Sequence, residues 1–403
     1  MSAPDAPQGT TGTPDWAARA DHGARSVTRH FGRRLLSLPG THLATPIQPS
    51  NGFPGQPWNY WWQAHYVDCL VDAGLRELAS GSRFNGGDRP SAGRLASRLV
   101  TTVRLRNFLR YVNSYYDDMA WLALAVLRLD ALAEKAHQPG RRRNARLQKS
   151  LSPQFESAST DDMGGGTFWS TKRDFKNTPA TAPVALHFAR TGKPERAQGL
   201  LDWLDATLFE PTRGLYLDGA WIKEGKLVLA EEVYTYNQGP VLGALLELGG
   251  DANLARAAAL VGSVAEHLTV CGPDTQGKLV LRGEGAGDGG LFTGILVRYL
   301  ALAAGDVRLP APTRATAGQL VLDTAEAVWA GRTVRAYAAH GTSGKYDDDA
   351  GWLIFSAEPQ RPAAGTYPAG TAVELSTQLQ AWMVLEAAAR VQLLSVPGPS
   401  LEL

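Results

Sequence analysis

Two aspartates stand side by side at Asp117-Asp118, with Tyr115 and Tyr116 before them and Met119, Ala120 and Trp121 after. Adjacent carboxyl groups repel when both are charged. One pKa therefore rises, and the pair can hold one ionised and one protonated group near neutrality. Glycoside hydrolysis uses that division of labour: one carboxylate attacks the sugar or activates water, and one acid protonates the departing oxygen. Met119, Leu122, Val126 and Leu129 recur at helical spacing after the pair. This places the aspartates at or just before a helix N-terminus, where unpaired N–H groups favour negative charge. A solvated cap is the ordinary use of such a pair. An exposed cap gains little from Tyr-Tyr and Trp, whereas Tyr116 and its neighbours could stack on a sugar ring.

Four further segments carry residues suited to holding a sugar. Trp58-Asn59-Tyr60-Trp61-Trp62-Gln63 sets three tryptophans just before a helical pattern. Core packing explains one or two of them, and Trp62 is expected on an exposed platform. Phe168-Trp169, followed by Phe175-Lys176-Asn177-Thr178-Pro179, supplies Trp169 as another ring and Asn177 near a helix start marked by Pro179. Tyr234-Thr235-Tyr236-Asn237-Gln238-Gly239 combines Tyr236 with two amides, Asn237 and Gln238. Their donors and acceptors complement sugar hydroxyls, with capping as the competing use for at least one. The glycines of Gly285–Phe292 allow close backbone approach and present Asp288 at a helix start. No strand leads into them, so they are not a dinucleotide fingerprint. A rival acidic run, Asp347-Asp348-Asp349, lies between Tyr346 and Trp352 with no helical pattern after it. It reads as a turn or loop cation site and stays the alternative location for the catalytic pair.

These residues need a scaffold, and the pattern supplies helices. Segments near Trp16–Leu36, Trp61–Leu78, Ala92–Val103, Met119–Ala133, Thr178–Ala189, Glu195–Leu208, Gly239–Leu248, Leu254–Leu268, Leu291–Ala304, Ala315–Ala330 and Val373–Leu393 have apolar helical periodicity. Leu215–Trp221 and Lys278–Leu281 read as short β-hairpins inserted in loops. Long loops rich in aromatic and acidic residues alternate with short turns such as Arg190–Lys193. That alternation predicts an all-α fold of helical hairpins closed into a toroid, its long loops forming one concave face. An open solenoid is the alternative, without a sequence repeat to support it. Every sugar-binding segment precedes a helix, so all four gather with the acidic pair. No linker divides the chain. A disordered segment over residues 1–14 and one catalytic domain over 15–403 are expected.

Composition excludes several other roles. The chain has 403 residues, 44% hydrophobic and 20% charged, with a net charge of +1. This argues against a nucleic-acid or anionic-membrane partner as the main role. The basic run Arg141–Arg146 reads as a solvated loop between helices. The eight histidines show no metal spacing, so neither metal nor cofactor is expected. His65 and His187 read as packed helix histidines. Cys69 and Cys271 are expected as free buried thiols. No apolar run reaches membrane-spanning length, and no h-region follows Met1. Cytoplasmic localisation without membrane insertion is the default. It sits awkwardly with glycan cleavage, and a leader missing from this chain would reconcile the two.

The ordered set Tyr116-Asp117-Asp118 with Trp121, Lys176-Asn177, Tyr236-Asn237-Gln238-Gly239 and Gly287-Asp288-Gly289-Gly290-Leu291-Phe292 with Arg298-Tyr299 resembles glycoside hydrolase family 76, the endo-α-1,6-mannanases. The resemblance implies an (α/α)6 barrel and a retaining glycoside hydrolase cleaving α-1,6-linked mannose in mannan or manno-oligosaccharides. By the same resemblance Asp117 is the nucleophile and Asp118 the acid/base. Adjacent residues entering a helix can reach the roughly 5–5.5 Å carboxyl separation of retaining enzymes. The loop around Trp61-Trp62-Gln63 departs from the family's usual segment and leaves the subsites open. The alternatives are an (α/α)6-barrel sugar epimerase or unsaturated-uronyl hydrolase, or a non-catalytic glycan-binding protein.

Overall fold

The computed structural model describes residues 14–50, 58–272, 275, 277–335 and 351–394. Its helices are α1 (Trp16–His30), α2 (Tyr60–Ser80), α3 (Ala92–Arg106), α4 (Tyr116–Lys135), α5 (Arg142–Ala158), α6 (Thr178–Arg190), α7 (Pro194–Thr207), α8 (Thr235–Leu248), α9 (Gly250–His267), α10 (Phe292–Gly305), α11 (Ala311–Ala330), the short α12 (Ala363–Thr366) and α13 (Leu375–Leu394). α2, α4, α6, α8, α10 and α13 form an inner ring in which each packs on the next and α13 closes on α2. α1, α3, α5, α7, α9 and α11 lie outside it. This is an (α/α)6 barrel.

Sequence explains the two layers. The inner α6, α8 and α13 are buried almost all round, and an apolar helix without a polar face belongs inside. The outer α3 and α5 bury one stripe each. Close approach within the inner ring depends on small residues: a Cβ on Gly243 of α8 would lie 2.5 Å from the Tyr299 ring of α10. Inner helices run parallel, so their N-termini and the long loops feeding them meet at one end of the barrel. The small antiparallel strand pairs lie in those loops, chiefly Lys176–Asn177 with Gly219–Lys223 and Lys226–Ala230.

A repeated device fixes these loops. Gln63, Gln238 and Gln378 are each the fourth residue of an inner helix. Their amides accept from the backbone N–H of Ala44, Tyr216 and Phe355 at 3.0, 2.9 and 3.0 Å and donate to the same residues' carbonyls. Deeper along the inner helices Asp68 and Asp72 of α2, Arg128 of α4 and Arg298 of α10 form a charged cluster across the bore. The Arg298 Nη2 to Asp72 Oδ2 distance is 2.7 Å. Burial lowers the Arg298 pKa to about 10, which leaves it charged at neutrality.

Three expectations need correction. Arg141–Arg146 is no loop but the start of α5, whose first turns are so basic that the apolar stripe of Leu147, Leu151 and Phe155 appears late. α8 begins at Thr235, ahead of Gly239, because Pro240 is accommodated near its start. Cys69 is a free buried thiol, whereas Cys271 is free and exposed. The segment expected to be disordered lies, apart from Pro14, outside the described residues. So does Asp347–Asp349. Among the described residues no helix is long and apolar enough to cross a membrane.

Candidate active site

The acidic pair occupies the first turn of α4, after Tyr115 at the N-cap position. Tyr116 is buried, and its N–H donates to the Trp169 carbonyl at 2.8 Å, which ties the helix start to the neighbouring loop. Asp117 and Asp118 remain partly exposed. Trp169 Nε1 donates to Asp117 Oδ2 at 3.0 Å, and Asp117 Oδ1 has no protein partner. Asn113 Nδ2 donates to Asp118 Oδ2 at 2.6 Å.

These surroundings separate the two acids. The dense protein around Asp117 raises its pKa to about 7, opposed by backbone N–H groups of the helix start and the Trp169 indole, with Asp288 adding a small upward push. Asp118 is raised well above the carboxylate range by the same burial and, next, by the charge on Asp117, against one side-chain bond from Asn113. Asp117 therefore ionises first, and its charge keeps the proton on Asp118.

The rest of the cleft is built from the loops before the other inner helices. Trp61 and Trp62 direct both indole N–H groups to Asp288 Oδ1, at 3.1 and 2.9 Å. Tyr236 stacks flat on Phe292 with centroids 3.7 Å apart. Burial and the charges of Asp218, Asp117 and Asp288 raise its pKa well above that of a free phenol, which puts its ring among three carboxylates. Tyr115 and Trp169, both exposed, pair at 5.0 Å on the rim. Four predicted residues thus meet around the acidic pair: Trp62, Trp169, Tyr236 and Asp288. Trp62 is buried there and not on the exposed platform expected of it, because its indole packs inward and donates to Asp288.

Other predicted residues are held by the protein itself. Asn177 is the N-cap of α6, accepting from Ala180 N–H at 3.1 Å. Gln238 is fully buried with its amide engaged by Tyr216 and Tyr234 backbone. Tyr116 is core. Asn237 is the exception: it is buried near Asp218, whose pKa burial raises to about 6, and neither its Oδ1 nor its Nδ2 has a hydrogen-bond partner within the protein. Lys176 is also internal: its ammonium donates to the carbonyls of Thr160, Asp162 and Gly165 at 2.7–2.8 Å and so shapes the loop before Trp169. His65, held neutral by burial, lies between Trp61 and Trp121 beneath the cleft. His187 packs on Phe155.

Sequence reasoning missed Asn113 and Asp218 as parts of the site. Asn113 lies within five residues of the pair, in reach of a side chain bonding to the helix start. Asp218 stands in a hairpin whose partner strand carries Asn177, a pairing no local pattern reveals. Among the described residues no group of His, Cys, Asp and Glu is placed to hold a metal ion.

Solved structures with this architecture give the site a context. The structure of an α-1,6-mannanase of family 76 from a Salegentibacter species is similar with a TM-score of 0.74 and 27% identity, covering 94% of this chain and 100% of that one. An inactive variant of that enzyme, with two consecutive Asp replaced by Asn, is in complex with α-1,6-mannotriose and matches with a TM-score of 0.73 at 26% identity, over 94% and 100% of the two chains. A Listeria innocua protein shares the fold at a TM-score of 0.71 and 23% identity, over 94% and 98%. No curated protein sequence matches. The sequence profile described as glycosyl hydrolase family 76 matches residues 44–360, which spans the acidic pair and the loops that meet it. That match covers more than half of the chain, and this chain, a glycoside hydrolase, belongs to glycosyl hydrolase family 76.

Proposed function

We propose that the protein cleaves α-1,6-linked mannose in mannan-type glycans by a retaining, two-step displacement. The observation that carries this reading is the placement of two adjacent carboxyl groups in the first turn of α4, with the Trp169 indole donating to Asp117 and the Asn113 amide to Asp118. It is supported by the similar enzyme whose inactive form lacks two consecutive aspartates and binds α-1,6-mannotriose. Asp117, charged and with Oδ1 unpartnered, attacks the anomeric carbon. Asp118 donates its proton to the departing glycosidic oxygen. A covalent glycosyl-aspartate results. Asp118, now a carboxylate, takes a proton from water as that water attacks the same carbon, and Asp117 leaves. The Tyr236–Phe292 stack and the Trp169–Tyr115 pair offer aromatic faces for the sugars, and Asp288, fixed by two indoles, offers acceptors for hydroxyls.

The test follows α-1,6-mannotetraose hydrolysis by NMR. The first-released sugar should carry the α configuration; initial β product means inversion and removes the pair from these roles. Asp117→Asn and Asp118→Asn should each lose at least about 100-fold in rate, the scale of positioned acid–base catalysis. Full activity in Asp117→Asn would move the site to Asp347–Asp349.

A further inference from the structure

The small net charge hides a strong segregation. Residues 22–67, 89–116 and 135–155 contain sixteen of the forty Lys and Arg and no Asp or Glu. The fold brings much of this excess together. The turn over 32–38 follows α1 and lies against α3, where the His42 N–H donates to Thr102 Oγ1 at 2.9 Å. There Arg34 is close enough to repel Arg98, and Arg33 to repel Arg106. Arg104 of α3 and Arg143 and Arg146 of α5 gather around Tyr111. Arg33, Arg34, Arg94, Arg110, Arg141, Arg142 and Arg146 are all exposed. Asp130 and Glu134 of α4 lie at one edge of this sector beside Gln138 and Gly140, and Glu77 of α2 lies at another, accepting from the Ala92 N–H at the start of α3 at 2.9 Å.

Apolar side chains project from the same sector. Phe108 is 86% exposed, Leu36 84% and Leu109 60%. All three have left-handed backbone, with φ of 51°, 46° and 63°. That conformation costs a non-glycine residue roughly 1–2 kcal/mol and is cheaper for Asn or Gly. The turn is nevertheless pinned: Asn107 Nδ2 donates to the carbonyls of Arg110 and Val112, and Arg104 Nε to that of Leu109. Rigid turns that hold large apolar side chains in water amid arginines have the chemistry of an interfacial membrane anchor.

We propose that this face docks on an anionic lipid bilayer, with Leu36, Phe108 and Leu109 entering the interface and the surrounding arginines meeting lipid phosphates. An acidic protein surface offers charge but no apolar layer for three separate protruding side chains, and nucleic acid likewise leaves them unsatisfied. Phe108 lies nine residues before Asp117, at the end of α3 that feeds the catalytic turn. Docking therefore holds the cleft at the membrane surface, beside glycans rooted in it.

Co-sedimentation of the full chain tests this with vesicles of phosphatidylcholine alone and of equal parts phosphatidylcholine and phosphatidylglycerol. The protein should pellet with the second and not the first. Replacing three basic residues (Arg34→Gln, Arg94→Gln, Arg110→Gln) should weaken partitioning on the order of 100-fold, at about fivefold for each charge near the surface. The triple variant Leu36→Ser, Phe108→Ser, Leu109→Ser should also lose binding while hydrolysing soluble mannotetraose at the parent rate, which reports an intact fold. If the parent shows no preference for anionic vesicles, or the apolar variant binds them unchanged, the proposal fails. Retention on duplex DNA without vesicle binding overturns it equally. Vesicle binding needs no turnover, so its failure is distinguishable from failure of the hydrolase reading.

Discussion

Replacing Trp169 by Phe separates its indole N–H from its ring. The N–H donates to Asp117 Oδ2 at 3.0 Å, and the ring packs on Tyr115 and Phe175. Phe keeps much of the packing and deletes only the donor. A hydrogen bond to a charged acceptor contributes about 1.5–3 kcal/mol, which corresponds to about 1–2 pKa units. The Asp117 pKa, already raised to about 7 by burial, should move up by that amount because its charged form loses a partner. The proposed displacement needs Asp117 ionised, so the acidic limb of kcat/KM against pH should shift upward by about 1–2 units. At neutral pH, where about half of the parent's Asp117 is charged, activity should fall by roughly 5–50-fold, with part of the loss recovered in more alkaline buffer. Initial rates on α-1,6-mannotetraose across pH read this directly. An unmoved limb with a constant loss at every pH would refute the argument and assign Trp169 to sugar stacking alone.

Further outcomes follow from other contacts. Asp117 has a folded pKa above its unfolded one, so its favourable contribution to folding is complete below the unfolded value and is lost as pH rises through about 7. Asp117→Asn should accordingly melt above the parent at about pH 8 and near it at about pH 4. Arg298→Met leaves Asp68 and Asp72 with one guanidinium between them, and denaturant titration should show a loss of about 3–5 kcal/mol. Lys176→Met strips three carbonyls, those of Thr160, Asp162 and Gly165, of their donor; limited proteolysis should then cut near residues 160–166, with kcat falling as Trp169 loses its support. Asp348→Asn should keep near-normal hydrolysis of mannotetraose.

The barrel was legible because inner helices are apolar all round and the functional loops all precede them; one periodicity encodes both layer and polarity. α5 was not, since its Arg-rich start hides the stripe that packs on α4. The acidic pair stood out through its aromatic neighbours, and Trp62, Trp169, Tyr236 and Asp288 followed from helix starts. The amides misled. A buried Gln238 clasping Tyr216 and a surface-facing amide awaiting a sugar have the same local sequence, because what distinguishes them is a strand that arrives from elsewhere in the chain. Asp218 was hidden for the same reason. The exposed left-handed Leu36 and Phe108 were beyond reach, since the residues that take this conformation are themselves neither glycine nor asparagine.

The cluster of Asp68, Asp72, Arg128 and Arg298 bears on the order in which this protein is born. A ribosome delivers α2 and α4 first, and for the next 170 residues two carboxylates face a single arginine. At about 5–20 residues per second that interval lasts roughly 10–30 s. Throughout it Asp68 and Asp72 have only one of the two guanidinium partners they hold in the finished barrel. α4, though synthesised early, has its surroundings complete only when Arg298 emerges and α13 closes the circle.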